Sequence, residues 1–139
     1  MKRLPLVAAY FIVSVWCEYQ QGFSQTIRNE EIEVQHAERM DYPLAARIHA
    51  TQGSVVLKLA VRTDGTVQFA EPLSGDKNLI PDCLKNAAKW RFSRTDHGTA
   101  IVVYVFRLEG LCDLPCPGNF SFYPPNVIVV SIGHPLATP

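Results

Sequence analysis

Thr99-Ala100-Ile101-Val102-Val103-Tyr104-Val105-Phe106-Arg107-Leu108-Glu109 decides the architecture. β-Branched and aromatic side chains fill this run, and such residues fit a pleated surface. Successive side chains of a strand point to opposite faces. Ile101, Val103 and Val105 therefore share one face, and Val102, Tyr104, Phe106 and Leu108 the other. Both faces are apolar, so the strand needs cover on two sides.

Upstream, the sequence supplies that cover on one side. Asn78–Trp90 reads as a helix: Leu79, Cys83, Ala87 and Trp90 recur at helical spacing, and Leu84 and Ala88 widen the stripe. Pro81 and Asp82 suit its first turn; Lys85 and Lys89 suit its C-terminal end, where cations oppose the macrodipole. Trp90 and Phe92 leave the helix as large rings, read as core or edge packing. Before this helix lies a hairpin. In Ser54–Arg62, Val55, Leu57, Leu59 and Val61 point one way and Val56, Lys58, Ala60 and Arg62 the other. Asp64-Gly65 then marks a turn needing positive φ. Val67–Glu71 is the return strand, with Val67 and Phe69 expected inward. Pro72 stops it unless that stretch lies at a sheet edge. A short first helix opens at Tyr42-Pro43, with Leu44 and Ile48 on one face and Gly53 closing the segment.

Downstream, Phe120-Ser121-Phe122-Tyr123 is aromatic, Pro124-Pro125-Asn126 turns, and Val127–Ile132 is rich in β-formers. This tail is expected to add a strand and to supply the missing cover. The order helix, strand, strand, helix, strand, tail strand predicts an α+β fold: two helices on one face of a three- to four-stranded antiparallel sheet.

At the front, Met1-Lys2-Arg3 is positive, and Leu4–Cys17 is an uncharged run of fourteen residues, short of the ~20 a spanning helix needs. Gly22-Phe23-Ser24 offers small residues before a cut. This is the pattern of a secretory signal peptide covering 1–24, so the chain is expected to be periplasmic or secreted. Residues 25–41 are polar and read as a flexible lead-in, with a short strand at Ile32–Val34. Export permits disulfides. Cys112, Cys116 and Cys83 are the candidates for one bridge. The Cys112–Cys116 spacing closes a small loop, Cys83 can partner either, and sequence alone does not choose.

The chain has 139 residues with 13 basic and 13 acidic side chains, which fits one near-neutral domain. Nucleic-acid binders need a basic surface to displace phosphate counterions, and no such surface is encoded. His36, His49, His97, His134, Cys83 and Ser74 are the groups an enzyme would use. No nucleophile elbow, phosphate loop or zinc signature frames them. Asp64 is explained by its turn, His97 by a solvated loop, and Cys83 by the apolar stripe. Only His134 lies near the cysteine pair, too few ligands for zinc. The sequence is therefore read as non-enzymatic, with no cofactor and no metal.

Tyr42-Pro43, Ala46-Arg47, Gly53, Val55, Asp64-Gly65, Val67, Ser74-Gly75, Leu79, Ala87, Trp90-Arg91-Phe92 and the apolar strand from Ala100 together resemble the C-terminal domain of TonB, over roughly residues 42–108. The resemblance implies a two-helix, three-stranded antiparallel domain over 42–109; the cysteine-containing tail over 110–139, with its added strand, lies outside the shared part. The resemblance also implies a binding mode: the last strand of the domain pairs with an extended segment of a protein partner, such as an outer-membrane TonB-dependent transporter. On that reading Ala100, Ile101, Val102, Val103, Tyr104, Val105 and Phe106 form the partner-binding edge. The bland reading is that Val127–Ile132 already occupies that edge. Strand exchange at an apolar edge would also make a homodimer.

Besides that added tail, the sequence departs from the family in two places. TonB proper joins its domain to a membrane helix by a long Pro-rich spacer. Here the seventeen residues 25–41 are not Pro-rich and span at most roughly 56 Å. Ser93-Arg94 follow Trp90-Arg91-Phe92 where the family usually has Pro. Energy transduction, with residues 4–17 kept as a membrane anchor, is the alternative function.

Overall fold

The structure is a computed structural model and describes residues 33–93 and 98–135. The signal segment, most of the lead-in and the turn holding His97 lie outside the described residues.

Nine elements follow in order: β1 (Val34–His36), α1 (Leu44–Ile48), β2 (Gly53–Val61), β3 (Val67–Ser74), α2 (Ile80–Ala87), β4 (Arg91–Phe92), β5 (Gly98–Cys112), β6 (Gly118–Tyr123) and β7 (Val127–Pro135). The main sheet has five strands in the order β3-β2-β5-β7-β6, and β1 pairs with β4 in a separate two-stranded sheet. All pairings are antiparallel except β5 with β7, which is parallel. The fold is thus α+β as expected. The sheet is larger than expected and mixed, because the tail adds two strands rather than one. The short lead-in strand falls at Val34–His36, slightly later than expected.

Both helices cover the same face. Val55, Leu57, Leu59 and Val61 from β2 and Ala100, Val102, Tyr104 and Phe106 from β5 are buried there. Ile128, Val130 and Ile132 from β7 join the same core, so the tail is part of it. The anticipated stripe on α2 holds: Leu79, Cys83, Ala87 and Trp90 are all fully buried, while Ala88 is exposed. Asp76 organises the start of α2. Its side chain accepts from the Asn78 N–H at 2.8 Å, and its carbonyl accepts from Leu79 and Ile80. The helix proper is shorter than expected. It ends at Ala87 because Lys89 and Trp90 donate to Asn86 and Ala87, three residues back, which tightens the last turn.

One buried polar side chain ties the layers together. Asn86 Oδ1 accepts from Trp90 Nε1 and from Tyr104 Oη, each at 2.9 Å. Its Nδ2 donates to the Glu38 and Arg39 carbonyls at 2.9 and 3.3 Å. All four hydrogen-bonding positions of the amide are used, which makes its burial tolerable.

Three expectations need correction. Leu44 and Ile48 do not face the core; they are 66% and 71% exposed. α1 has only five residues, and it is held by buried Ala46 and by Tyr42 just before it. Tyr42 sets its ring edge-on to Phe106 at 5.4 Å and donates its hydroxyl to the Thr51 carbonyl at 2.6 Å. Phe69 also points outward, 60% exposed. The register of β3 shifts between the pairs Ala60↔Phe69 and Val61↔Val67, so an extra residue, Gln68, changes which side chains face inward. Finally, the tail does not cover the second face of β5. Its strands extend the sheet in its own plane, and Ile101, Val103 and Val105 stay half-buried.

The Asp64-Gly65 hairpin forms as expected. Asp64 Oδ1 accepts from the Thr66 N–H at 3.0 Å and its hydroxyl at 2.7 Å. Gly65 has φ 88°, and a Cβ there would collide with the Phe92 carbonyl oxygen.

Candidate functional site

The run proposed as a docking edge sits inside the sheet. β5 pairs with β2 from Gly53↔Phe106 to Val61↔Gly98. On its other flank it pairs with β7 from Val103↔Val127 to Cys112↔Pro135. Val103, Tyr104, Val105 and Phe106 therefore have strands on both sides. Above them, buried Asn126 closes the flank: its Nδ2 donates to the Ile101 carbonyl at 2.8 Å, and its carbonyl accepts from the Val103 N–H at 2.9 Å. Ala100 and Val102 point into the core. From Val103 to Phe106 the expected open edge is thus corrected, and there the bland reading, in which the tail occupies that flank, describes the structure. The physical reason is the tail's own β-rich run, which satisfies the main-chain groups that an edge would leave unpaired.

The tail reaches that position through a stapled turn. Cys112 and Cys116 form the disulfide, and Cys83 is a free, buried thiol. The Cys112 side chain packs against Gly133, where a Cβ would lie 2.5 Å from Cys112 Sγ. Cys83 lies among apolar side chains. Burial, and next the charge of Asp82, push its thiol up to about 12, so it is protonated at neutral pH. Burial, and next the thiol of Cys83, also raise the Tyr104 phenol well above its ordinary value.

The two true margins of the sheet differ sharply. β3 carries Pro72 and Glu71, and its register shifts twice against β2. Proline, charge and bulges are the devices that blunt an edge. β6 has none of them. It reads Gly118-Asn119-Phe120-Ser121-Phe122-Tyr123 and pairs with β7 without a register shift from Gly118↔Ile132 to Tyr123↔Val127. Among the described residues, no strand lies on its outer side. Phe120 and Phe122 stand opposite buried Val130 and Ile128, so they face the helix side and are half-buried. Asn119, Ser121 and Tyr123 face the other way and are exposed. Trp90 links this margin to the core: its ring lies 5.9 Å from Phe122, edge-on, and 6.1 Å from Tyr104. Phe120–Tyr123 belongs to the tail as expected from the sequence, but its place at the margin of the sheet was not among the expectations. The available signal was an uncharged, proline-free aromatic run followed by a turn.

The groups considered for catalysis are scattered. His36 lies on β1 beside Glu38 at 3.1 Å, His49 follows α1, Ser74 ends β3, and His134 is near the end of β7. Among the described residues no cluster of three or more His, Cys, Asp or Glu could hold a metal ion. Among them, too, no helix is long and apolar enough to cross a membrane. A groove of about 360 Å³ lies between residues 39–44 and α2. Arg39, Lys85 and Lys89 line it together with Asp41 and Asp82, so its charges are mixed rather than focused.

The fold and its margin define a small α+β domain with a helix-covered mixed sheet and one unguarded edge strand. Among solved structures the chain is similar to the Pseudomonas aeruginosa TonB C-terminal domain, determined by solution NMR. The two are 19% identical; the likeness covers 60% of this chain and 92% of that one, with a TM-score of 0.46. No family model and no curated protein matches the sequence.

Proposed function

We propose that the chain is an exported, non-enzymatic protein-interaction domain of the TonB C-terminal kind, and that it takes up an extended partner segment by strand addition at β6. The observation that carries this reading is the asymmetry of the two margins. β3 is blunted by Pro72, Glu71 and two register shifts, while β6 offers six regular residues with an open outer side among the described residues. Main-chain groups on such a strand gain by pairing with another extended chain, the basis of β-augmentation. β7 fills the flank of β5 from Val103 onward, so Val103–Phe106 receives a partner only if β7 leaves.

The order of residues shared with the TonB C-terminal family supports an outer-membrane transporter as the partner class. The apolar run 4–17 with its small-residue cut site supports cleavage after Ser24, with a lead-in to residue 41 and a periplasmic or secreted domain from Tyr42 onward. If that segment is retained instead, the protein becomes a membrane-anchored energy transducer. N-terminal sequencing of the exported protein separates the two: a terminus near Gln25 rules out the anchor. Pairing of β6 with its own copy is the route to a homodimer.

The reading is tested by titrating the ¹⁵N-labelled protein with an extended peptide from a TonB-dependent transporter. Saturable shifts confined to the amides of 118–123, lost when alternate peptide nitrogens are methylated, are the expected result. Shifts centred on 100–106, or none at all, would overturn β6 as the acceptor.

A further inference from the structure

The side chains around β6 restrict what can lie beside it. On the helix side, Phe120 and Phe122 are half-buried, and Trp90 stands edge-on behind Phe122 at 5.9 Å. An added strand would run about 4.8 Å away, with its residues directly opposite these rings. Side chains there would leave water and meet aromatic carbon. On the other side, Asn119 and Ser121 present an amide and a hydroxyl, both exposed. From Gly118 to Tyr123 there is no charged residue. A charge placed on the helix side would thus lose hydration with no counter-charge on this strand.

Resting on the proposed strand addition at β6, we infer that the recognised segment alternates apolar and uncharged polar residues. Two β-branched or aromatic side chains, two positions apart, face Phe120 and Phe122; small polar ones face Asn119 and Ser121. The six residues of β6 set the length, since a strand rises about 3.3 Å per residue and the segment in contact is therefore roughly 20 Å long. Residues 113–117, stapled by the disulfide, precede Gly118 and mark where the straight margin begins. The segment carries no lysine, arginine or carboxylate at its helix-side positions.

Three synthetic peptides of eight residues test this. The first alternates Thr or Ser with Val or Phe. The second has the same composition with its apolar residues in one block. The third replaces two apolar residues of the first by Lys. Each is titrated into the ¹⁵N-labelled full chain. The alternating peptide is expected to shift the amides of 118–123 and to bind at least tenfold tighter than the other two. If the block or lysine peptide binds at the same amides within threefold of the first, the alternation rule is overturned while strand addition at β6 stands. If no peptide moves those amides, strand addition at β6 itself is overturned, and the rule falls with it. In the variant Phe122→Ser, with dispersed amide signals as a check of folding, the preference is expected to drop below threefold. An undiminished preference would overturn the role given to the aromatic side chain.

Discussion

Ile128→Ala tests whether the tail is structural or merely attached. Ile128 is completely buried and lies on β7, in the tail beyond the part that resembles the TonB domain. It stands between Tyr104 of β5 and Phe122 of β6. Shortening a buried Ile to Ala costs about 2–5 kcal/mol, through lost transfer energy and the cavity left behind. A domain of this size has about 5–15 kcal/mol in total, so the loss is a large share of it. At roughly 4 °C per kcal/mol, the melting temperature falls by about 8–20 °C. The assay is urea unfolding followed by Trp90 fluorescence, with Trp16 replaced by Phe so that only the core indole reports. Trp90 is not on the tail, yet it touches Phe122 and Tyr104. If the sheet is one cooperative unit, the Trp90 transition moves to lower urea with an unchanged slope. A shift worth less than about 0.5 kcal/mol, the range of neutral surface changes, would show that the tail is no part of the cooperative core. The tail would then melt separately from a self-sufficient remainder.

Asn86→Ala strands the buried donors of Trp90 and Tyr104 and frees two backbone carbonyls, at about 1–3 kcal/mol for each buried group left unpaired. Denaturation in a Tyr104→Phe background shows a smaller penalty, because one stranded donor is gone; strict additivity would contradict the shared network. Ala50 has φ 49°, where a side chain is strained, so Ala50→Gly gains about 1 kcal/mol in a denaturant melt. The Asp64 carboxyl is held below its usual 3.8, chiefly by hydrogen bonds from Thr66. Its folded value is depressed, so its contribution is present above the ordinary value and is lost as pH falls through the lowered one. Asp64→Asn therefore flattens stability against pH in that acid window, measured by melts between pH 5 and about 2. An unchanged acid profile would contradict the hydrogen bonds seen in the turn.

The sequence made the architecture of residues 53–92 legible because local rules governed it. Alternation in β2, the Asp64-Gly65 turn and the stripe on α2 each act within a few residues. Phe69 was misread because one inserted residue, Gln68, reverses the inward side, and nothing local marks such an insertion. Leu44 and Ile48 were misread because a five-residue helix is too short for its spacing to govern packing; Tyr42 and Ala46 hold it instead. The candidate edge was misread for a longer-range reason. Alternation in Thr99–Glu109 tells which way side chains point, but not which strands flank it. That depends on residues 127–135 returning parallel to β5, a pairing set by the whole tail. The bare margin at β6 follows from the same event.

β7 enters between two strands that precede it in the sequence, and this bears on how the protein is made. While the ribosome extends the chain, β5 emerges with one flank vacant. It waits for β7 on the order of seconds, at the ordinary pace of synthesis. During that interval a long, largely apolar ribbon is open to any passing strand. A chain built this way gains from being held unfolded by a chaperone until β7 arrives.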